Sequence, residues 1–228
     1  MIEIKHVLFD EPIVIDGTKL LNLVIEDKRI FRKFLIQLNN EIENDSEHFA
    51  LYRDGKESSL SKNLFLIVNP LFLEIDEKKI NTIIQKDLVK TISDEQETQY
   101  NEIMSSLYKW LNDVKLNSDV AIEIDEEIPM NTIFKNFNLS LIGRNENDIE
   151  YFVERIKAVS KVFNTKYFVF VDLHFYFNKE EIDIIYSELL KHDIYFFVIS
   201  SQKSNEILHY EKFIIIDNDL AEIHQNVD

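Results

Sequence analysis

Cysteine is absent from the sequence, and that single absence removes disulfide frameworks, thiolate metal sites and cysteine nucleophiles together. Glycine is almost as scarce, with Gly17, Gly55 and Gly143 the whole supply. A P-loop needs G-x-x-x-x-G-K followed by Ser or Thr, because its glycines let backbone amides wrap the phosphates; a dinucleotide-binding turn needs G-x-G-x-x-G. The nearest stretch, VIDGTKLL, holds one glycine and sets Leu20 where the hydroxyl belongs, so neither motif can be built. Long apolar runs are missing too, since nothing approaches the roughly 18 residues of a membrane span. The opening MIEIKHVLFDEPIVI alternates apolar and polar residues and lacks the basic-then-apolar plan of a signal peptide. A soluble protein of the reducing cytoplasm, without membrane or nucleotide as partner, is expected.

What is present is enough to fold. With 45% hydrophobic and 12% aromatic residues, 228 residues can bury a sizeable core. Basic side chains are in deficit, 25 against 42 acidic, for a net charge of −17. That favours solubility and argues against nucleic acid unless the basic residues are gathered in one place.

The chain opens strand-like from Ile2 to Ile15, with Ile4, Val7, Phe9, Ile13 and Ile15 as its apolar positions. Asp16-Gly17 then turns the chain into Leu20 to Ile25, a pattern that predicts a β-hairpin or short meander. Asp27 is placed to cap a helix from Lys28 to about Ile42. Its Ile30, Phe34, Leu35 and Leu38 share one face, and Arg29, Arg32 and Lys33 share the other. The basic face is either solvated or a phosphate-contacting patch. Arg53, Lys56 and Lys62 fall in a serine-containing stretch around the Asp54-Gly55 turn, predicted to be a flexible basic loop ahead of a buried strand from Leu64 to Val68.

Helical spacing then takes over. Ile80, Ile83, Ile84, Leu88 and Ile92, followed by Tyr100, Ile103, Met104, Leu107 and Leu111, predict an αα-hairpin between about Leu71 and Trp110. Residues 71 to 130 hold fourteen acidic and six basic side chains, about half of the net charge. In SDVAIEIDEEIP the carboxylates Asp119, Glu123, Asp125, Glu126 and Glu127 crowd together, either solvated or bound to a cation such as calcium; no EF-hand spacing is present.

The last third predicts α/β structure. Leu139 to Ile142 is a short strand, Asn145 or Asn147 caps a helix with Ile149, Phe152, Val153, Ile156 and Val159 inward, and Tyr167 to Leu173 is a strand. A helix from Asn178 to Lys191 and strands at Ile194 to Ser200 and Lys212 to Ile216 follow, before a polar tail. The fold class is α/β. Boundaries are expected near residues 68 and 137, which gives 1–68 and 138–228 as two parts of one head domain and 69–137 as a helical insert. Asp172 and His174 form the best acid–base pair, and a structural pairing at a strand end is the simpler reading. The six histidines show no metal-ligand spacing.

Three stretches carry a resemblance: LFDEPIVI at Leu8 to Ile15, YFVFVDLHFYFNKEEIDIIYSELLKHDIYFFVISSQ at Tyr167 to Gln202, and IEIDEE closing the helical block. In this order and at this size the chain resembles the short-form Csn-type adaptation proteins of type II-A CRISPR loci. The resemblance implies a head like a P-loop NTPase without its nucleotide motifs, and an inserted α-helical leg. It also implies a homotetrameric ring that binds calcium and encircles linear double-stranded DNA during spacer acquisition, alongside the CRISPR integrase and effector nuclease, with no catalysis of its own. By position it makes Glu123, Asp125, Glu126 and Glu127 calcium ligands, and Arg53, Lys56 and Lys62 DNA contacts. Relatives carry a lysine cluster before the strand that here follows VFNTKYF, where only Lys166 and, upstream, Lys161 remain. A metal-dependent nuclease or degenerate ATPase using Asp172 or the acidic stretch is the alternative.

Overall fold

The computed structural model describes residues 1–44, 48–73, 77–125, 128–141 and 148–226. The chain divides into two compact units, one made of Met1–Ile75 with Ile142–Asp228 and the other of Asp76–Leu141.

The first unit is built on two sheets. Strands β1 (Ile2–His6) and β2 (Ile13–Ile15) form an antiparallel hairpin, as their alternating apolar residues predict. The sequence pattern places Val7 in the same strand, but it stands 94% exposed in the turn after His6. The next strand, β3 (Leu20–Ile25), does not join this sheet. It is wholly buried and lies in the middle of the larger sheet, as its LLNLVI run explains, since strands covered on both faces read as continuous apolar stretches.

Helix α1 (Lys28–Asn44) follows, with Phe34 and Leu38 buried, and Asp27 accepts hydrogen bonds from the Arg29 and Ile30 amides at 2.8 and 3.0 Å. Strands β4 (Phe49–Arg53) and β5 (Lys56–Ser58) then complete the small sheet in the order β2-β1-β4-β5. Asp54 and Gly55 both have positive φ, 51° and 75°, so the predicted flexible loop is a two-residue hairpin turn. A single helical turn, α2 (Leu60–Asn63), leads into β6 (Leu64–Ile67).

The second unit holds α3 (Glu77–Lys90), α4 (Asp94–Leu116) and α5 (Met130–Asn136). Ser93 and Gln96 form a capping box at the start of α4. Helix α5 packs on α3, while Tyr100 donates to the Ile128 carbonyl at 2.6 Å and Tyr108 accepts from its amide at 3.1 Å. The strand expected from Leu139 is not formed at Leu139–Leu141. That segment is tied instead to α3, where Gln85 donates to the Leu139 carbonyl at 2.7 Å and Asn81 accepts from the Leu141 amide at 3.1 Å. Ile142, Gly143, Asn145 and Asn147 lie outside the described residues.

Returning to the first unit, α6 (Asp148–Phe163) buries Phe152, Val153, Ile156 and Val159 as its spacing predicts. Strand β7 (Tyr167–Val171) ends two residues earlier than expected, because Asp172 turns left-handed at φ 50° and starts the single helical turn α7 (Leu173–Tyr176). Helix α8 (Lys179–Leu190), opened by an Asn178–Glu181 capping box, leads to β8 (Tyr195–Ser200) and β9 (Glu211–Ile216). The polar tail forms an unpredicted strand, β10 (Glu222–Asn226), antiparallel to β9.

The large sheet runs β10-β9-β3-β8-β7-β6, parallel except at β10. Alternation along its strands makes two cores. Leu21, Leu23, Val169, Phe197 and Ile214 meet the inner faces of the small sheet and α1. On the other face Phe170 packs on Phe152 of α6 at 5.4 Å, and Phe196 packs on Tyr186 of α8 at 5.8 Å.

Candidate nucleic-acid interface

Three of the basic residues named from sequence converge. Arg53 ends β4, Lys62 sits on α2 and Lys166 precedes β7. Together with Asn63, Asn164, Thr165 and Tyr167 they line a cavity of about 70 Å³. Its frame is cross-linked across 102 residues of sequence, because the buried Thr165 hydroxyl donates to the Asn63 carbonyl at 2.8 Å. Asn164 adopts φ 51° to reverse the chain from α6 into β7, a backbone that asparagine tolerates better than most residues. Ser160 closes the same reversal by donating to the Thr165 carbonyl at 2.6 Å.

Asn63 organises the cationic wall. It is 5% exposed; its amide donates to Ser58 Oγ and the Ser59 carbonyl, both at 2.8 Å, and its oxygen accepts from Arg53 Nη1 at 3.2 Å. One edge of the guanidinium is thereby fixed, and among the described residues its other donors face only the exposed carboxylate of Asp54. Carboxylates near the cations are exposed and loosely placed: Asp54 lies 4.0 Å from Arg53 Nε and Asp193 lies 3.5 Å from Lys166. Exposed pairs of this kind contribute little. Lys56 is paired with Arg53 in the β4–β5 ladder, and Lys161 stands in the last turn of α6.

The other predicted contacts are placed elsewhere. Arg29, Arg32 and Lys33 are exposed on α1 and do not line the cavity. Asp119, Glu123 and Asp125 are exposed in the irregular segment after α4, and Glu126 and Glu127 lie outside the described residues. Among the described residues no three His, Asp or Glu side chains are grouped to hold a metal. The described carboxylates alone therefore do not supply the six to eight oxygens calcium takes.

Asp172 and His174 lie at the opposite, carboxyl-terminal edge of the parallel sheet, in a cavity of about 610 Å³ that Ser200 to Glu206 complete. Burial pushes the Asp172 carboxyl above its ordinary range. His174 Nε2 is held 2.8 Å from Asn22 Oδ1 and 3.2 Å from Glu211 Oε1, and Glu211 is completely buried. Glu211 also accepts from Asn22 Nδ2 at 3.0 Å and from the Leu208 amide at 2.7 Å, so the histidine belongs to a satisfied structural network. At the same edge, the helix that follows the central strand would offer its first amides to a phosphate. Asp27 takes them instead, and those backbone hydrogen bonds, Ile30 first, hold its carboxyl below the usual range.

Asn63, Thr165 and Tyr167 line the cavity although nothing in the sequence marks them as site residues. Polar residues beside apolar runs carry no signal of a partner a hundred residues away. Among the described residues no helix is long and apolar enough to cross a membrane.

The model of the family described as CRISPR-associated protein (Cas_Csn2) matches residues 41–220. No curated protein matches the sequence. Among solved structures the chain is similar to an ATP-binding cassette of an ABC transporter in its ADP conformation, with 12% identity, a TM-score of 0.45, and coverage of 94% of this chain and 86% of that one. It is also similar to a nucleotide-free ATP-binding cassette from an ABC transporter, with 12% identity, a TM-score of 0.46, and coverage of 94% and 87%. Because the family model matches well over half of the chain, residues 41–220, the chain belongs to the Cas_Csn2 family of CRISPR-associated proteins.

Proposed function

We propose that this protein is a non-catalytic, sequence-independent binder of double-stranded DNA that acts in CRISPR spacer acquisition. In this reading it encircles linear duplex as a homotetrameric ring, alongside the CRISPR integrase and effector nuclease of its locus. The observation that carries the reading is the convergence of Arg53, Lys62 and Lys166 from three separate segments of an acidic chain. Phosphate contacts supply affinity without reading bases, and they need a basic surface rather than a basic protein. A ring would repeat that surface once per subunit.

One feature weighs against an ATPase: Asp27 occupies the amides at the start of α1 that a phosphate would use. Calcium is assigned to the whole acidic stretch from Asp119 to Glu127, where it would offset carboxylate repulsion and tie assembly to the metal.

The test is binding to linear and to covalently closed circular duplex at two salt concentrations, with calcium and with chelator. Preference for linear DNA that weakens with salt and with chelator is expected. Equal binding to both forms would replace the ring with an open surface, and no binding to either would overturn the reading.

A further inference from the structure

The cavity at Arg53 is too small for a base or a sugar. Its volume of about 70 Å³ is that of two or so water molecules, and a single tetrahedral phosphate group fills such a space. A phosphodiester within a strand carries one charge and has a sugar on either side. A terminal phosphate monoester has three free oxygens, carries about −1.5 to −2 charge at neutral pH, and can enter a small cavity head first. Three cations facing one small space match the second group better than the first.

We infer that the Arg53–Lys62–Lys166 cavity binds the terminal phosphate monoester of a DNA end; the inference rests on the DNA-binding reading above and adds what part of the duplex this site takes. The donors are specific to the task. Arg53 presents a guanidinium fork whose orientation is set by the buried Asn63, and planar forks pair with phosphate through two parallel hydrogen bonds. Lys62 makes no ion pair among the described residues and supplies a positive charge on the short helix α2. Lys166 trades its exposed contact with Asp193, 3.5 Å away, for the stronger one with a dianion. The wall behind them is rigid, since Asn63 and Thr165 lock α2 to the start of β7. A phosphate arriving there meets a preformed site and orders little on binding.

The experiment has two arms. In the first, inorganic phosphate is titrated into the full-length protein while the Asn63 side-chain amide is followed by NMR, with chloride at equal ionic strength as control. In the second, affinities are measured for one linear duplex prepared with 5′-phosphate, with 3′-phosphate and with hydroxyl ends. The expected results are a saturable shift of the Asn63 resonance and tighter binding of one phosphorylated end by about tenfold, the scale of one well-placed charged hydrogen bond. Arg53→Lys keeps the charge but loses the fork, and should abolish that preference, so that the 5′-phosphate, 3′-phosphate and hydroxyl-ended duplexes bind alike. Lys62→Gln provides a second variant with the same expected direction.

Equal affinity for all three duplexes would overturn the inference and leave the DNA-binding reading standing. A phosphate-dependent shift without binding of any duplex would keep the anion site and overturn the DNA reading. No shift and no duplex binding would overturn both.

Discussion

Asn63 shows how much a single buried amide can decide. Its side chain joins Arg53 to the Ser58–Ser59 segment, while its main-chain carbonyl accepts from the Thr165 hydroxyl. Asn63→Ala should cost about 1–3 kcal/mol of stability, because it leaves partly buried groups unpaired. Arg53→Ala should cost less, below about 1 kcal/mol, since that side chain is half exposed and only one of the Asn63 hydrogen bonds is lost. Urea denaturation of the two variants separates the roles, and equal losses would contradict them. Asp172 offers a pH test at the same scale. Burial raises its folded-state pKa, so the folded protein holds this proton more tightly than the unfolded chain. The group's contribution is greatest below the ordinary carboxylate pKa and is lost as pH rises through the raised folded value. Asp172→Asn keeps a residue suited to φ 50° and removes that loss. The variant should melt above the parent at pH 7, and the gap should close as pH falls to about 4. A gap that does not change with pH would remove burial of the charge as its cause.

At the scale of elements, Gly17 is the tightest constraint. It sits at φ 80°, and a Cβ there would overlap the Tyr195 ring, which stacks on Tyr167 at 5.5 Å. Gly17→Ala should therefore destabilise by about 1–3 kcal/mol, through backbone strain and displacement of that ring. Measured unfolding within about 0.5 kcal/mol of the parent would show that the turn yields. Much of this architecture is legible in the sequence. Asp27 and Asn178 announce their helices, the inward face of α6 follows its spacing, and β7 and β8 read as buried parallel strands. The errors share a cause, because local pattern fixes an element but not its partner. Leu20–Ile25 was read as a hairpin arm since a turn precedes it, yet its partners are strands 170 and more residues away. The Leu139 segment has strand composition, but side chains of α3 claim its backbone. Within the candidate site, Arg53, Lys62 and Lys166 were legible as basic residues next to strands. Asn63, which aims one of them, was not, because its role exists only once α2 meets β7.

For the whole molecule, the question is how a chain with net charge −17 would hold a polyanion. Screening shortens repulsion from distant carboxylates to about 10 Å at 0.1 M salt, so the local cations decide contact while the global charge slows approach. Salt titration then counts the contacts. For duplex DNA, the slope of log K against log salt falls by about 0.9 for each phosphate neutralised. A ring that presents the same site from every subunit changes the arithmetic of a point mutation. Lys62→Ala in a single contacting subunit should make the slope shallower by about 0.9, whereas loss of that lysine from four equivalent contacting subunits should make it shallower by about 3.6. The second value is expected if the sites act together on one long duplex. If Lys62 instead serves only a terminal phosphate, no more than two ends exist per duplex, and the change should not exceed about 1.8. Measuring the slope on a short duplex and on a long one, with the protein held at one oligomeric state, therefore separates a lysine that tracks the DNA from one that grips its end. An unchanged slope would remove Lys62 from the interface altogether.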